Sequence, residues 1–216
     1  GECVCAKLRI TPSSVAGTVQ VPQSKSHSIR ALLAAGFASG VSEVEGLLQS
    51  SDLTYLVAYL SAIGAKVEQS GAVWKIQGVG GQALAAVNSI QVGGSGLLLR
   101  FLTAMASHHH GRHQALGGID SLNDQRPMGD LLQGLAQRGV AVCGRMDSTR
   151  APVEIQGGFK PGHVTVMGDD SQTVSALLFA SAWARGVTQI EVTQPGEHAW
   201  VDLTCGWLDR LQIDYQ

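Results

Sequence analysis

The chain has 216 residues, of which 44% are hydrophobic, 15% charged and only 5% aromatic, and its formal net charge is −2. A chain of this length can bury a sizeable core, as one large or two small domains. The near-neutral charge excludes a general nucleic-acid binder, which would carry a basic stripe. No apolar run is as long as a membrane-spanning helix requires. The four cysteines are too scattered for a disulfide framework, which favours a reducing cytoplasm.

A short β-type pattern recurs at intervals of about 70 residues. Its copies are Val19-Gln20-Val21, Ile90-Gln91-Val92 and Val164-Thr165-Val166. Each is followed by a polar or glycine-rich turn and then by a helix with almost no polar face, predicted over 30–38, 97–106 and 173–184. A helix that is apolar on every side has to be surrounded by protein. We therefore expect these three inner helices to pack together at a centre.

Each copy continues with a second strand and a second helix that has one apolar face. The strands are predicted over 42–45, 113–116 and 187–192, and the helices over 52–63, 126–138 and 201–211. Gly64 and Gly139 have the position of C′ glycines that end a helix, and Pro127 suits a first helical turn. The first two copies then close with the same tripeptide, Ile76-Gln77-Gly78 and Ile155-Gln156-Gly157. The predicted units are 19–80, 81–160 and 161–216.

Two features predict that the chain is a fragment. The third copy stops at Gln216 without a closing strand, and the chain begins at Gly1 instead of Met. Residues 1–18 precede the first copy and contain a short apolar segment, Leu8-Arg9-Ile10, which we interpret as a strand that belongs to something outside this chain.

The strongest functional signal lies where the first inner helix begins, at Lys25, Ser26 and Arg30. A helix N-terminus carries partial positive charge and unpaired N–H groups, and it favours anions. Pseudo-threefold symmetry would bring the starts of all three inner helices to one face, so that Gly96 and Gln172 lie near Lys25. Charge-assisted hydrogen bonds contribute about 1.5–3 kcal/mol each, and Lys25, Arg30 and Arg126 are the candidate donors. The sequence therefore predicts a site for a phosphorylated or carboxylated ligand.

Four motifs, in order along nearly the whole chain, resemble the N-terminal half of the 5-enolpyruvylshikimate-3-phosphate (EPSP) synthase family. They are Ser24-Lys25-Ser26-x-Ser28-x-Arg30, Gly93-Gly94-Ser95-Gly96 with Arg100, Asp124-Gln125-Arg126-Pro127, and Asp170-Ser171-Gln172. The resemblance implies an α/β (α+β) fold of three βαβαββ units with inner helices and outer sheets, an inverse α/β barrel of the enolpyruvyl transferase type. It implies that residues 1–18 belong with a missing second domain and that residues 19–216 are one N-terminal, substrate-binding domain. It also implies transfer of the enolpyruvyl group of phosphoenolpyruvate to the 5-hydroxyl of shikimate 3-phosphate, with release of phosphate.

The same resemblance implies roles for individual residues. Lys25 would be catalytic and would touch both substrates, and the other roles divide between the two ligands. Shikimate 3-phosphate would be bound by Lys25, Ser26, Arg30, Ser171 and Gln172, with Ser171 at its phosphate, and phosphoenolpyruvate by Lys25, Gly96, Arg126 and Gln172. The family needs no cofactor or metal, and its acid/base carboxylates lie in the second domain. We therefore expect the fragment alone to be inactive, monomeric and dependent on that missing domain, with small anions as ligands and neither nucleic acid nor membrane as partner.

The chain departs from the family pattern at several positions, among them Gly94 and Ser95 of the second motif, where the family has asparagine and alanine. The threonine and proline expected in the second inner helix are Leu97 and Phe101, which we expect to reshape the pocket where the herbicide glyphosate binds in the family. Asp170 replaces a serine, and a carboxylate beside a phosphate site is unfavourable by about 4 kcal/mol at 4 Å in an intermediate dielectric. Asp170 should therefore point away from the ligand, or the site is altered. Glu197 and Trp200 replace a serine and a tyrosine that are usual in the family before the last helix, and we expect both changes to affect how shikimate 3-phosphate fits.

Two alternatives stay open. A UDP-N-acetylglucosamine enolpyruvyl transferase shares the fold, but that family has Lys-Asn where this chain has Lys25-Ser26, and it carries a cysteine before the Arg-Pro pair that residues 121–125 lack. A noncatalytic module that only holds a phosphorylated ligand is the second alternative.

The histidines at 108, 109, 110 and 113 look like a metal cluster. The repeat places them in the loop after the second inner helix, at the end of the domain opposite the proposed site. We interpret them as a solvated loop, because a zinc site needs a held geometry and supporting partners. The helical tryptophans, including Trp183, Trp200 and Trp207, are interpreted as packing residues.

Overall fold

A computed structural model describes residues 8–81, 87–109, 112–116, 126–145 and 149–216, with the backbone alone described at 112–116 and 143–145. Its described helices and strands follow the three-unit pattern. The helices are α1 (Lys25–Phe37), α2 (Ser51–Ala62), α3 (Gly96–Ala106), α4 (Gly129–Gln137), α5 (Ser171–Ala182) and α6 (His198–Arg210). The strands are β1 (Val41–Glu45), β2 (Lys66–Ser70), β3 (Val73–Gln77), β4 (Ile90–Gln91), β5 (Arg112–Leu116), β6 (Ala141–Arg145), β7 (Arg150–Gln156), β8 (Gly162–Met167) and β9 (Thr188–Thr193).

The strands form three small sheets, one for each predicted unit. The first sheet has the order β1-β3-β2, the second β4-β5-β7-β6 and the third β8-β9. The pairs β4–β5 and β8–β9 are parallel, and the remaining pairs are antiparallel. In the first two sheets the glutamine of the repeated tripeptide has the same place: Gln77 pairs with Val41 and Lys66, and Gln156 pairs with Arg112 and Ala141.

The three inner helices form the centre of the hydrophobic core. Every residue of α1 from Ser28 to Phe37 is buried, as is every residue of α3 from Leu98 to Ala106. Phe101 of α3 packs against Phe179 of α5 with ring centroids 5.3 Å apart. The outer helices bury one face only; α2 buries Leu53, Leu56, Tyr59 and Leu60. The predicted division into all-round apolar inner helices and one-faced outer helices is therefore present, and the α/β fold class is confirmed.

The repeated Ile-Gln-Gly tripeptide closes the C-terminal end of an inner helix. Ile76 and Ile155 are buried in the core. After Gly78, Val79 and Gly80 donate backbone hydrogen bonds to Gly36 O and Ala38 O; after Gly157, Gly158 and Phe159 both donate to Ser107 O. A Cβ atom at Gly78 would overlap the carbonyl oxygens of Ala35 and Ala38, and one at Gly157 would overlap the carbonyl oxygen of His109. Glycine is required at both positions because backbone lies against backbone.

The helix ends confirm one sequence prediction and overturn another. Gly64 and Gly139 follow α2 and α4 with φ angles of 105° and 84°, and the next residues, Ala65 and Val140, donate to Leu60 O and Leu135 O, as expected of C′ glycines. The predicted start of the fourth helix at Arg126 is wrong. It begins at Gly129, since Met128 N donates to Thr149 O instead of taking part in a helical turn.

Two predicted strands are not formed. Leu8–Ile10 and Val19–Val21 lie outside every sheet that the described residues form, and Leu8, Ile10, Val19 and Val21 are 77–91% exposed. An alternating pattern gives a strand only when a partner strand accepts its hydrogen bonds. The assignment of residues 1–18 to a second domain stays a prediction, and residues 1–7 lie outside the described part.

The interpretation of the histidines as a solvated loop is wrong where the structure describes their side chains. His109 is only 2% exposed, lies 2.9 Å from the Tyr59 hydroxyl through Nε2 and stacks on Phe37. His108 Nε2 lies 2.7 Å from Ala180 O. These rings fill the space between the C-terminal ends of the inner helices. His110 and the side chain of His113 lie outside the described residues. The described side chains include no group of three or more His, Cys, Asp or Glu that could hold a metal ion.

No helix in the described part of the chain is long and apolar enough to cross a membrane.

We expect Gly78→Ala to lower the free energy of unfolding by about 2–3 kcal/mol, because the added Cβ forces backbone apart in a packed region. Urea unfolding measures this directly. The matched control is Gly206→Ala in α6, where a Cβ meets no atom within 4 Å; it should raise stability by about 0.5–1 kcal/mol. An equal effect of the two substitutions would contradict the role given to Gly78.

His108 gives a pH dependence of stability. Burial lowers the pKa of His108, and the hydrogen bond to Ala180 O only partly offsets this. Below the ordinary histidine pKa of about 6.5 the unfolded chain binds a proton that the folded chain does not, so the free energy of unfolding falls as pH falls. His108→Gln keeps an N–H donor and does not titrate. Its stability should fall less than that of the wild type between about pH 7.5 and 5.5, and parallel curves would contradict the assignment.

Candidate functional site

The three inner helices begin at the same end of the domain, around one pocket of about 320 Å³. This volume is at the lower end of the range for small-molecule sites, roughly 300–1,000 Å³. All seven residues that the sequence predicted for the site line this pocket, although they come from distant parts of the chain. The lining consists of Lys25, Ser26, Arg30, Gly94, Ser95, Gly96, Leu97, Arg126, Ser171, Gln172, Glu197 and Trp200.

The helix starts are fixed by local caps. The side chain of Ser24 accepts a hydrogen bond from His27 N at the start of α1, and Ser95 accepts one from Leu98 N at the start of α3. At the start of α5 the cap is Asp170, whose Oδ1 accepts from Gln172 N at 2.9 Å. Each cap uses only one of the N–H groups that a helix leaves unpaired in its first turn. The partial positive charge of three helices therefore converges on the pocket.

Arg30 is the most deeply buried cation of the pocket, with 2% of its surface exposed. Its Nε donates to Thr204 Oγ1 at 2.9 Å, its Nη1 to Ser26 O at 3.1 Å and its Nη2 to Ser175 Oγ at 3.5 Å. The guanidinium also lies 5.0 Å from the centre of the Phe101 ring. Within the described residues these partners are all uncharged. Burial lowers the pKa of Arg30 to about 10, so the group is still a cation at neutral pH.

The other two cations are more accessible. Lys25, the first residue of α1, is half exposed and lies 3.3 Å from Asp52 Oδ2 on α2. Arg126 is exposed, and its side chain lies beside the first residue of α3: a Cβ at Gly96 would be 3.6 Å from Arg126 Cδ. A Cβ at position 96 would be in ordinary contact with Arg126 and in tighter contact, at 3.3 Å, with Arg100 Nη1. The side chains of Lys25 and Arg126 are both accessible to a ligand in the pocket.

A second buried arginine, Arg100, supports the site from behind and was given no role by the sequence reasoning. It is 3% exposed and donates to Gly96 O, Gln172 Oε1 and Pro127 O at 3.2, 3.2 and 2.9 Å. It therefore joins the start of α3, the start of α5 and the segment that carries Arg126. Burial lowers the pKa of Arg100, and the Asp170 carboxylate opposes this. Arg100 lies four residues after Gly96, so both are on the same face of α3. This spacing was the sequence pattern from which a role for Arg100 at the site could have been predicted.

The expectation that Asp170 points away from the ligand agrees with its contacts. Its Oδ2 lies 2.6 Å from Arg100 Nη2 and its Oδ1 caps α5, and Asp170 is not among the residues lining the pocket. Both carboxylate oxygens therefore have partners on the protein, and the carboxylate neutralises Arg100 instead of opposing an anion in the pocket.

Two interpretations of apolar residues need correction. Trp200 is not a packing residue: it is 48% exposed and lines the pocket. Leu97 also lines the pocket, as expected, but Phe101 does not. Phe101 is fully buried, between Arg30 and Phe179. Of these two replacements, only Leu97 can meet a ligand directly. The Asp124 and Gln125 of the third motif lie outside the described residues.

The fold and the pocket define a three-unit α/β domain with a cationic pocket, suited to a small anionic ligand, at the start of its inner helices. Residues 10–214 match the family model described as EPSP synthase (3-phosphoshikimate 1-carboxyvinyltransferase). The chain therefore belongs to the EPSP synthase family.

Individual relatives agree. The chain is 35% identical over 209 residues to the 3-phosphoshikimate 1-carboxyvinyltransferase of Acetivibrio thermocellus, an alignment that covers 97% of this chain and 49% of that protein. It is 36% identical over 208 residues to the enzyme of the same name from Chlamydia trachomatis serovar D, covering 96% and 47%. The chain thus spans about half the length of the curated relatives it matches.

Solved structures give the same fold. The EPSP synthase of Acinetobacter baumannii aligns with a TM-score of 0.75 at 27% identity, over 86% of this chain and 42% of that one. The enolpyruvyl transferase NikO of Streptomyces tendae aligns with a TM-score of 0.65 at 18% identity, over 93% and 46%, which shows the fold alone.

The two buried arginines should respond differently to the same substitution. We expect Arg30→Met to leave the free energy of unfolding unchanged or higher, because it removes a buried cation that has no carboxylate partner among the described residues. Ser175 and Thr204 would stay hydrogen-bonded to each other at 2.8 Å. We expect Arg100→Met to cost about 2–3 kcal/mol, because it leaves Asp170 and buried carbonyl groups without a donor. Chemical denaturation of both variants measures this, and a larger loss for Arg30→Met would contradict the analysis.

Proposed function

We propose that this chain is the N-terminal half of an EPSP synthase and binds shikimate 3-phosphate together with part of phosphoenolpyruvate. The observation that carries the proposal is Arg30, a buried cation at the point where three helix N-termini meet, with uncharged partners among the described residues. A buried charge is costly unless a counter-charge is supplied. An anionic substrate supplies one, and both substrates of this enzyme are anions.

The lining residues divide between the two ligands as the sequence motifs suggest. We assign Ser26 and Arg30 on α1, with Ser171 and Gln172 on α5, to shikimate 3-phosphate. We assign Gly96 on α3, with Arg126 and Gln172, to phosphoenolpyruvate. Lys25 lines the same pocket with a side chain that is half exposed. It can contact both ligands, and it is the one residue of this half to which we give a catalytic role.

The chemistry of this half is positioning and charge stabilisation. In the proposed reaction the 5-hydroxyl oxygen forms a bond to the central carbon of phosphoenolpyruvate and the bond from that carbon to the phosphate oxygen breaks. The proton lost by the hydroxyl is balanced by the proton that the departing phosphate takes up. Arginine binds carboxylate and phosphate groups through paired N–H donors, which fixes the ligand's orientation. Preorganised cations and helix N–H groups stabilise the charge that develops on the leaving phosphate. We assign the proton transfers to the other half of the enzyme.

The proposal also covers the partner, oligomeric state, location and cofactor needs of this half. It acts with the other half of the same enzyme, as a monomer, in the cytoplasm and without a cofactor or metal, and alone it does not turn over substrate. The names of the curated relatives support shikimate 3-phosphate over UDP-N-acetylglucosamine as the second substrate.

Isothermal titration of the chain with shikimate 3-phosphate tests the proposal. We expect measurable binding, weakened at least tenfold by Lys25→Ala because the ligand loses a charged donor worth about 1.5–3 kcal/mol. Lys66→Ala, at an exposed lysine on β2 outside the pocket, is the control for loss of one positive charge and should bind as the wild type does. If Lys25→Ala and Lys66→Ala weaken the binding equally, the assigned site is contradicted. If the chain alone turns over substrate, its dependence on the other half is contradicted.

A further inference from the structure

One side of the pocket already holds an anion of the protein itself. Glu197 Oε2 accepts a hydrogen bond from Ser171 Oγ at 2.6 Å and lies 3.3 Å from Ser171 N. Ser171 is the first residue of α5 and is 2% exposed. The carboxylate therefore takes both donors that this residue offers, at the positive end of a buried helix.

The backbone around Glu197 presents its side chain to α5. Glu197 has a left-handed conformation, with φ 47° and ψ 40°, and its side chain makes no hydrogen bond to cap its own helix, α6. The preceding loop is held against the start of α5, because Gly196 N donates to Gly168 O at 2.8 Å and Gly168 N donates to Thr193 O at 2.8 Å. A non-glycine residue in this conformation is uncommon and carries a local cost. The contact with Ser171 is the interaction gained in return.

The other two inner helices are capped differently. The side chains that cap α1 and α3 are the neutral serines Ser24 and Ser95, and neither helix has an acidic residue in its first turn. At the start of α5 the cap is Asp170, whose charge is matched by Arg100. Among the described residues, Glu197 is the carboxylate that lines the pocket, beside the cations Lys25, Arg30 and Arg126.

We propose that Glu197 is a specificity-determining residue that occupies the position of a ligand phosphate at Ser171 and competes with that phosphate. The proposal rests on the function proposed above, since it concerns the same pocket and ligand. A phosphate binds at Ser171 only after the Glu197 carboxylate has left, because two anions cannot share the same two donors. Glu197 is exposed, so its side chain can turn into solvent while the helix stays in place. The competition lowers the affinity for ligands that place a phosphate at Ser171 and does not change the affinity for ligands that have no phosphate.

Titration of matched variants tests the competition. Glu197→Gln removes the charge and keeps the size, and Glu197→Ser replaces the carboxylate side chain with a short hydroxyl. We expect both to bind shikimate 3-phosphate at least tenfold more tightly than the wild type, with a gain in the same direction for inorganic phosphate. Shikimate, which lacks the phosphate, should bind all three proteins within about twofold.

Glu191→Gln is the control for net charge. Glu191 is an exposed carboxylate on β9 that contacts Thr165 and His163, outside the pocket, and its loss should leave phosphate affinity unchanged. Equal affinity for shikimate 3-phosphate in the wild type and both Glu197 variants would overturn the competition and leave the proposed function in place. A gain as large in Glu191→Gln would also overturn it. If no variant binds shikimate 3-phosphate at all, the proposed function fails, and the competition fails with it.

Discussion

The proposed site depends on the burial of one guanidinium, that of Arg30, at the place where three helices begin. Its Nε and Nη atoms hydrogen-bond to a backbone carbonyl of α1 and to hydroxyl groups of α5 and α6. None of those partners carries charge. A buried cation whose partners are uncharged favours an anion in the pocket, and this is the physical basis of the proposed function.

Arg100 is a second buried arginine, and its charge is balanced by a carboxylate of the protein itself. It is buried as deeply as Arg30 and lies on another inner helix, α3. Its Nη2 is 2.6 Å from the Asp170 carboxylate, which balances its charge. Arg100 therefore acts as a structural crosslink between the start of α3 and the start of α5, while Arg30 stays available to a ligand. Asp170 lies behind the pocket lining, so its charge faces Arg100 and not a ligand. Glu197 is the acidic replacement that reaches the pocket itself.

Much of this arrangement could be predicted from the sequence because it repeats. Three all-round apolar helices and two Ile-Gln-Gly tripeptides specify the inner layer and the way in which sheets close over it, and the repeat also places Lys25, Gly96 and Gln172 at equivalent helix starts. Features that depend on a partner far along the chain could not be predicted. Val19–Val21 has the strand pattern but no paired neighbour, and His109 is buried only because Phe37 and Tyr59 meet it. The contact between Glu197 and Ser171 depends on a left-handed backbone conformation at Glu197, which no local sequence pattern predicts.

The most direct test of the account is a crystal structure of this chain with shikimate 3-phosphate bound. We expect an anionic or hydroxyl oxygen of the ligand within hydrogen-bond distance of the Arg30 guanidinium, and the phosphate at Ser171 with the Glu197 side chain turned away. A ligand bound elsewhere, or one in this pocket that leaves the surroundings of Arg30 uncharged, would contradict the account.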